Sequence, residues 1–370
     1  MGEGAKLAVL NSGFGLGFHI PGLLLHEKIR RLGVESSVEV FESLLPDSKL
    51  ELVEKNRSAY HSNFNVALAS QRVPSDIRRS WDKTALESLL LRWQEQNIGK
   101  FIVLSGHWVH VLALYREMRL GLSIQAHLLY LDAALAPSWK QLRKIWPNYA
   151  ESFQEVELYD LAARKILCCI DTNAGTSVPY SQRNGRLVVH GGGWGIGTYR
   201  ERAAELENRG YGLDIACYEE GDIMTGPASR QYFMDDPRWR SWHRDVNGEH
   251  PFPPFGRVES DLRSTTFAPQ YECNGLHKVI RQAAGIVSKP GAGTLIDSIN
   301  SATPLIMLEP FGPHEEANGE LWEGLGLGIR YPNWAETGFQ FSVLEKIHAN
   351  LLAQKAKAAD YAENCLAIFK

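Results

Sequence analysis

The chain has 370 residues, a length that suggests two domains rather than one. Of these residues 44% are hydrophobic and 22% are charged, which is a composition typical of a globular protein. Its formal net charge of −4 provides no basic surface field, which argues against nucleic acid as a partner. The five cysteines are odd in number and form no Cys-x-x-Cys pair, so we expect neither a disulfide framework nor a cysteine metal cluster.

The cysteines fit best with a reducing, cytoplasmic setting. The N-terminal stretch lacks the charged region and the long apolar core of a signal peptide. No run approaches the roughly 18 apolar residues of a membrane span. We therefore expect a cytoplasmic protein, for which the sequence leaves open a peripheral contact with a membrane surface.

The first half of the chain opens with the pattern of a β-α-β unit. An apolar strand is predicted at residues 6–10, followed by a glycine-rich loop at 11–17, a helix at 21–32 and a strand at 38–41. This alternation implies a parallel sheet. Further strands of the same half are predicted at 101–104, 123–130 and 165–170.

The same pattern restarts in the second half. Residues 172–186 are rich in Asn, Gly, Ser, Thr and Pro, as an interdomain linker would be. A strand at 187–190, a glycine loop at 191–197 and a helix at 199–208 follow. The two halves therefore begin alike, which predicts an α/β fold with two Rossmann-like, doubly wound domains. Residues 221–257 contain five prolines and are predicted to form an irregular excursion beside the cleft.

The most informative segment is residues 285–329. A short strand is followed by a Pro-Gly-Ala-Gly turn, a helix that opens at Thr294, a second strand and the polar loop 313–318. A glycine turn that opens a helix presents unpaired backbone N–H groups and a positive dipole end to an anion. Asp297 lies one helical turn on, where it can accept hydrogen bonds from a ribose. The polar loop 313–318 offers donors and acceptors of the kind that bind sugar hydroxyls. The segment thus contains, in order, features that suit a phosphate, a ribose and a sugar, and this order predicts a nucleotide-sugar site.

This segment resembles the donor half of GT-B glycosyltransferases, particularly the lipid II-forming N-acetylglucosaminyltransferase, the monogalactosyldiacylglycerol synthases and the UDP-glycosyltransferases of secondary metabolism. That family has a glycine turn with Thr, an acidic residue about three positions later (more often Glu than Asp), a Pro, and a Gln or Glu three residues before Asn. Over roughly 45 residues, this pattern appears here as Gly291-Ala292-Gly293-Thr294, Asp297, Pro304, and Glu315 with Asn318.

The resemblance implies a GT-B fold, in which two Rossmann-like domains face each other across a cleft. The acceptor-binding domain would comprise residues 1–171 and the nucleotide-sugar-binding domain residues 187–342, with 172–186 as the linker. A C-terminal helix at 343–370 would cross back to the first domain.

The resemblance also implies the residues of the donor site. The turn at the start of the helix would hold the phosphates, Asp297 the ribose, and the polar loop the sugar. Lys289 adds positive charge to this site or is a solvated strand end. The implied donor-site residues are Gly193, Gly291, Ala292, Gly293, Thr294, Asp297, Glu315 and Asn318.

A general base is expected in the first domain, because an acceptor hydroxyl must lose its proton, and histidine suits this near neutral pH. The family places a histidine after the first glycine loop, usually with Pro three residues later. Here Pro21 follows His19 by two, and alignment on Pro-Gly-Leu places Phe18 at that position instead. His107, which follows another strand, is the second candidate base.

The implied function is transfer of a sugar from a nucleotide-sugar to a hydroxyl or similar nucleophile on a small-molecule or lipid acceptor, in natural product or cell-envelope biosynthesis. UDP is the expected nucleotide, with dTDP as the alternative. Inversion at the anomeric carbon is expected, with no metal and no cofactor beyond the nucleotide-sugar co-substrate. Two alternatives remain open, namely a nucleotide-sugar hydrolase or epimerase on the same scaffold and an inactive nucleotide-sugar-binding protein.

Overall fold

The structure, a computed structural model, describes residues 6–70, 78, 80–118, 123–172, 175–224, 229–259 and 262–369. Each half of the chain contributes its own β-sheet, and helices connect the parallel strands. The predicted α/β class is therefore confirmed. Within the described ranges, no helix is both long and apolar enough to cross a membrane.

The first sheet is parallel throughout, with strand order β2-β1-β3-β4-β5. Its strands are β1 (Lys6–Asn11), β2 (Ser36–Val40), β3 (Ile98–Val103), β4 (Gln125–Tyr130) and β5 (Gln154–Glu157). Its helices are α1 (Leu16–Arg31), α2 (Asp47–Ser62), α3 (Phe64–Ser70), α4 (Lys83–Glu95), α5 (His107–Met118) and α6 (Pro137–Ile145). The strand order reverses between β1 and β3, so the loops after these two strands border the crevice where such sheets bind ligands.

The strand β1 shows why this sheet forms. Successive side chains of a strand point to opposite faces. Leu7 and Val9 belong to a core shared with the second domain, whereas Ala8 and Leu10 pack into a separate core under α4 and α5. Because both faces are covered, the strand is a continuous apolar run, as is typical of buried parallel strands.

The prediction of a fifth strand at residues 165–170 was wrong. That place in the sheet belongs to β5, an edge strand of sequence Gln-Glu-Val-Glu that lacks the apolar pattern by which a buried strand is recognised. The predicted stretch instead contains two short strands. The small strands here are β6 (Tyr159–Asp160), β7 (Lys165–Ile166) and β8 (Cys168–Cys169), with β6 and β7 paired antiparallel.

The second sheet has the strand order β12-β11-β10-β9-β13-β14-β15 and is parallel except for β12 at its edge. Its strands are β9 (Leu187–His190), β10 (Leu213–Cys217), β11 (Arg230–Asp235), β12 (Phe255–Val258), β13 (Gly285–Ser288), β14 (Leu305–Met307) and β15 (Gly328–Arg330). Its helices are α7 (Tyr199–Asn208), α8 (Gly275–Ile280), α9 (Ala292–Ser301) and α10 (Pro313–Gly324). Apart from β12, this is the Rossmann order, and the reversal point lies between β9 and β13.

The C-terminal region does not form the predicted single helix at 343–370. It consists of α11 (Tyr331–Glu336), α12 (Phe341–Lys355), β16 (Ala359–Asp360) and α13 (Tyr361–Ile368). Asp360 restarts the helix after the break, because its Oδ1 accepts a hydrogen bond from the Glu363 backbone N–H at 3.0 Å. β16 pairs with β8, and α13 packs on α1, so the return to the first domain is made by these last two elements.

Candidate functional site

The turn between β13 and α9 lies at the reversal point of the second sheet. Gly291 caps α9, and its carbonyl accepts the first helical hydrogen bond, from the Leu295 N–H at 3.0 Å. The N–H groups of Ala292, Gly293 and Thr294 therefore belong to the first turn and point out of the helix end. The helix starts two residues before the predicted Thr294, so its free N–H groups are those of Ala292, Gly293 and Thr294.

Gly293 borders open space at this helix end. A Cβ built on it meets no atom within 4 Å. A Cβ on Gly291, by contrast, lies 3.1 Å from Glu315 Oε1. The side-chain position of Gly293 thus borders open space, so a ligand can approach the helix end here.

Lys289 is buried beside the same turn. It is 8% exposed, and its Nζ donates to Glu315 Oε1 at 3.1 Å. Its side chain also passes the second glycine loop, since a Cβ on Gly197 would lie 3.3 Å from Lys289 Cδ and one on Gly192 would lie 3.7 Å from Nζ. Lys289 is therefore a fixed cation between the loops after β9 and β13, not a solvated strand end.

His190, at the end of β9, also lies in this region, although the sequence analysis did not identify it. Its Nδ1 accepts a hydrogen bond from the Gly192 N–H at 3.1 Å and so fixes the start of the glycine loop. Burial lowers the pKa of His190 to about 4, and the nearby Lys289 charge acts in the same direction. The ring is therefore neutral at physiological pH and serves as an acceptor.

Asp297 lies on α9, one turn from the glycine residues. Its side chain is 14% exposed, and its Oδ1 lies 2.7 Å from Nδ1 of the buried His277. The acidic group predicted to bind the ribose is thus held beside the anion-facing end of the helix by a histidine that lies 20 positions earlier in the sequence.

Glu315 and Asn318 are not in a loop, as predicted, but in the first turns of α10, which begins at Pro313. Glu315 accepts hydrogen bonds from Lys289 Nζ and from the Phe311 N–H at 2.5 Å. This pairing keeps its carboxylate beside the Gly291 turn.

Asn318 is fully buried, and both ends of its amide bind protein groups. Its Oδ1 accepts from the Ala133 N–H at 2.7 Å. Its Nδ2 donates to Asp132 Oδ1 at 2.7 Å and to the Pro290 carbonyl at 2.8 Å. These bonds use both amide hydrogens, so Asn318 links the two domains here, and its contact with a sugar stays a prediction.

Gly193 contacts the first domain. A Cβ on this residue would lie 2.7 Å from Leu16 Cβ and 2.8 Å from the Leu16 backbone nitrogen. Only glycine permits so close an approach between the second glycine loop and the start of α1. Gly193 is therefore an interdomain contact in this structure, whereas the prediction placed it against a phosphate.

His19 lies inside α1, because this helix begins at Leu16, five residues before the predicted start. It is completely buried, its ring centroid is 5.4 Å from that of Trp239, and among the described residues neither ring nitrogen has a hydrogen-bond partner. Burial, together with the nearby His250, lowers the pKa of His19 to about 3. Phe18 next to it packs against both cores. Access of an acceptor to His19 requires that Trp239 and His250 move.

The cover over His19 is part of an irregular segment, residues 236–254, between β11 and β12. Its Ser241 Oγ donates to the Gly13 carbonyl at 3.3 Å, and its Arg244 Nη2 donates to Glu39 Oε2 at 2.6 Å. This 236–254 segment therefore extends from the second domain across the strand ends of the first, within the region predicted to be an irregular excursion.

His107, the second candidate base, is the first residue of α5 and lies between α5 and α6. It lines a small depression with His110 and Ser138, and its ring centroid is 5.2 Å from that of Phe41. Burial, with a smaller effect of His110, lowers the pKa of His107 to about 4. Both candidate bases are thus neutral at physiological pH, but the structure does not bring them together.

A further interdomain contact involves His61 of α2. Its Nδ1 lies 2.8 Å from the Gly195 carbonyl and its Nε2 lies 3.0 Å from Asp222 Oδ1. Burial opposes protonation, but the hydrogen bond and charge of Asp222 raise the pKa of His61 above its ordinary value. Burial likewise opposes ionisation of Asp222, but hydrogen bonds from His61 and from the Tyr218 N–H lower the pKa of Asp222 to about 2.

In the part of the chain that the structure describes, no group of three or more His, Cys, Asp or Glu side chains is arranged to hold a metal ion.

Comparison with solved structures identifies the architecture. The glycosyltransferase SnogD from Streptomyces nogalater matches with a TM-score of 0.56 at 13% identity, over 100% of both chains. MurG of Acinetobacter baumannii matches with a TM-score of 0.53 at 13% identity, over 98% of both chains. The chain has the GT-B fold.

Another glycosyltransferase structure that matches this chain contains a bound nucleotide. SsfS6, a glycosyltransferase of Streptomyces sp. SF2575, was solved in complex with thymidine diphosphate, and it matches with a TM-score of 0.56 at 14% identity over 98% of this chain and 99% of its own. No family model and no curated protein match the sequence. The resemblance to GT-B glycosyltransferases is thus confirmed at the level of the fold.

Proposed function

We propose that this protein is a glycosyltransferase that moves a sugar from a nucleotide-sugar, with UDP as the expected nucleotide, to a hydroxyl or similar nucleophile on a small-molecule or lipid acceptor. The observation that carries this proposal is the accessible N-terminus of α9 at the reversal point of the second sheet, with Lys289 buried beside it. Open α/β sheets bind their ligands at this point. The glycosyltransferases SnogD and SsfS6, which have the same fold, support it.

The chemistry follows from these groups. When the bond from the anomeric carbon to the diphosphate breaks, negative charge grows on the departing oxygen. The N–H groups of Ala292, Gly293 and Thr294 and the positive end of the helix dipole are fixed before the reaction, so they stabilise this charge without reorganisation. Lys289 adds a full positive charge, and no metal is required for this role. Direct attack by a deprotonated acceptor on the opposite face inverts the anomeric centre.

Asp297 would bind the ribose and Glu315 the sugar. Glu315 lies at the Gly291 turn, next to the position of the phosphates, which suits a contact with the group that the phosphates carry. A bound diphosphate would compete with Glu315 for the ammonium group of Lys289. Binding of the diphosphate would therefore weaken the ion pair and leave the Glu315 carboxylate available to the sugar.

The test uses two matched glycine variants. Gly293 and Gly17 are both the second residue of a helix, and a Cβ on either meets no atom within 4 Å, so both positions have room for a side chain to begin. Gly293→Val should place its side chain where the phosphates bind and lower the affinity for UDP about 100-fold or more, as expected for the loss of several charged hydrogen bonds. Gly17→Val should leave UDP affinity unchanged.

The measurement is isothermal titration of UDP, followed by a transfer assay with UDP-sugars and a panel of acceptors. Equal UDP affinity in both variants and in the wild type would reject the site.

The buried position of His19 favours one alternative, a nucleotide-sugar-binding protein without transfer activity. Tight UDP binding with no turnover on any acceptor would support that alternative, whereas release of UDP from the donor without an acceptor would indicate a hydrolase.

A further inference from the structure

Three side chains form a hydrogen-bonded chain from the interdomain connection to the donor helix. Thr172 Oγ1 lies 3.1 Å from Nε2 of His277, and Nδ1 of the same ring lies 2.7 Å from Asp297 Oδ1. Thr172 is 2% exposed and His277 is 1% exposed, so water competes little for these bonds. The residues are 105 and 20 positions apart in sequence, and no sequence motif connects them.

The chemistry of the partners fixes the hydrogens. A carboxylate oxygen can only accept, so Nδ1 of His277 carries a hydrogen and donates it to Asp297. A hydroxyl can donate as well as accept, so Thr172 can donate to Nε2 of a neutral ring. When the Thr172 hydroxyl donates to Nε2, it stabilises the tautomer of His277 that carries its hydrogen on Nδ1, which is the tautomer that can bind Asp297.

The same arrangement leaves one oxygen of Asp297 for a ligand. Among the described residues, no group forms a hydrogen bond with Asp297 Oδ2, and the side chain remains 14% exposed. Because Oδ1 is held by His277, the carboxylate cannot rotate without breaking a charge-assisted bond. A ribose hydroxyl would therefore meet an acceptor whose orientation is already set, and binding would not have to order it.

We propose that His277 is a positioning residue for nucleotide recognition, which orients the Asp297 carboxylate toward the ribose hydroxyls and is itself oriented by Thr172. This inference rests on the proposed function, since it assumes that a nucleotide binds at α9. It identifies His277 and Thr172 as determinants of affinity for ribose hydroxyls, although neither contacts the nucleotide.

The experiment compares UDP with 2′,3′-dideoxy-UDP, which lacks both ribose hydroxyls, by isothermal titration. In His277→Ala, affinity for UDP should fall about 10-fold, the scale of one hydrogen bond to a charged group. Affinity for the dideoxy analogue should stay at the wild-type level. The ratio of the two affinities is the informative quantity, because a general disturbance of the domain weakens both ligands alike.

Two further substitutions separate positioning from packing. His277→Asn keeps an N–H donor near the place of Nδ1 and should restore most of the ratio. Thr172→Val removes the hydroxyl but keeps the shape, and should reduce the ratio by a smaller factor than His277→Ala. His348, a buried histidine bonded to the Ala302 carbonyl at the other end of α9, is the matched control. His348→Ala should leave the ratio unchanged.

The outcomes distinguish the two levels of the proposal. If the ratio of the two affinities in His277→Ala equals that of the wild type, whether both affinities stay the same or fall equally, the positioning role is overturned while the donor site remains. If the wild-type protein binds neither UDP nor its dideoxy analogue, the proposed function fails, and this inference fails with it.

Discussion

At the scale of single residues, Asn318 has a consequence for stability. Its amide joins the Ala133 N–H and Asp132 of the first domain to the Pro290 carbonyl of the second, in a fully buried position. Asn318→Ala leaves these partners unsatisfied, and each lost bond of this kind costs about 1–3 kcal/mol. We expect a clearly lower melting temperature in calorimetry. A variant as stable as the wild type would show that the interdomain bonds contribute little.

His19 is the residue for which the sequence-based role and the structure agree least. If it removes the acceptor proton, His19→Ala should reduce transfer about 10²–10⁴-fold. Affinity for UDP should stay the same, because every donor contact named above lies in the second domain. His107→Ala serves as the comparison, since that ring faces α6. Loss of transfer in the His107 variant alone would move the base to the end of β3.

At the scale of elements, the 236–254 segment must open if His19 acts on an acceptor. Its ion pair between Arg244 and Glu39 joins it to the first domain at a carboxylate that is nearly buried. Arg244→Ala should therefore speed backbone deuterium exchange in residues 236–250, measured by mass spectrometry. Arg238→Ala is the control, because that side chain pairs with Asp236 inside the segment. Equal exchange in Arg244→Ala and in the wild type would show that this ion pair does not hold the segment.

The elements also show what the sequence could and could not predict. The helix at 199–208 has the predicted bounds, because an apolar strand and a glycine loop precede it and mark its start. The start of α1 was missed, because the Gly-rich sequence before Pro21 is typical of a loop and a proline is typical of the first turn of a helix, whereas this helix contains that proline. The edge strand β5 was missed, because its polar sequence carries no burial signal.

The candidate site divides in the same way. The glycine turn and Asp297 are neighbours in sequence, so a local pattern was enough to find them. The roles of His277, Lys289 and Asn318 depend on contacts between residues far apart in the chain, such as the 186 positions between Asp132 and Asn318. Spacing within one segment contains no information about such contacts.

At the scale of the whole molecule, the contact between His61 and Asp222 makes the stability of the interface between the two domains depend on pH. Both of its acceptors, Asp222 and the Gly195 carbonyl, favour the doubly protonated ring. The Arg200 guanidinium, 3.2 Å from Nε2, opposes protonation, but the net effect is a raised pKa of His61. The folded protein therefore holds this proton more tightly than the unfolded chain. The stabilisation is complete below the ordinary value of about 6.5 and is lost as the pH rises through the raised value.

The matching experiment compares the wild type with His61→Gln, which keeps a neutral donor. The difference between their melting temperatures should be largest below about pH 6 and should shrink as the pH rises above the ordinary histidine pKa and through the raised pKa of His61. A difference that stays constant over this range would mean that the charge of His61 does not stabilise the domain contact.

The central claim is that a nucleotide diphosphate binds at the N-terminus of α9, and a crystal structure of the protein soaked with UDP tests it most directly. We predict phosphate oxygens within hydrogen-bond distance of the backbone nitrogens of Ala292, Gly293 and Thr294, with a ribose hydroxyl on Asp297. Lys289 should contact the diphosphate. UDP bound elsewhere, or none bound at millimolar concentration, would contradict the account.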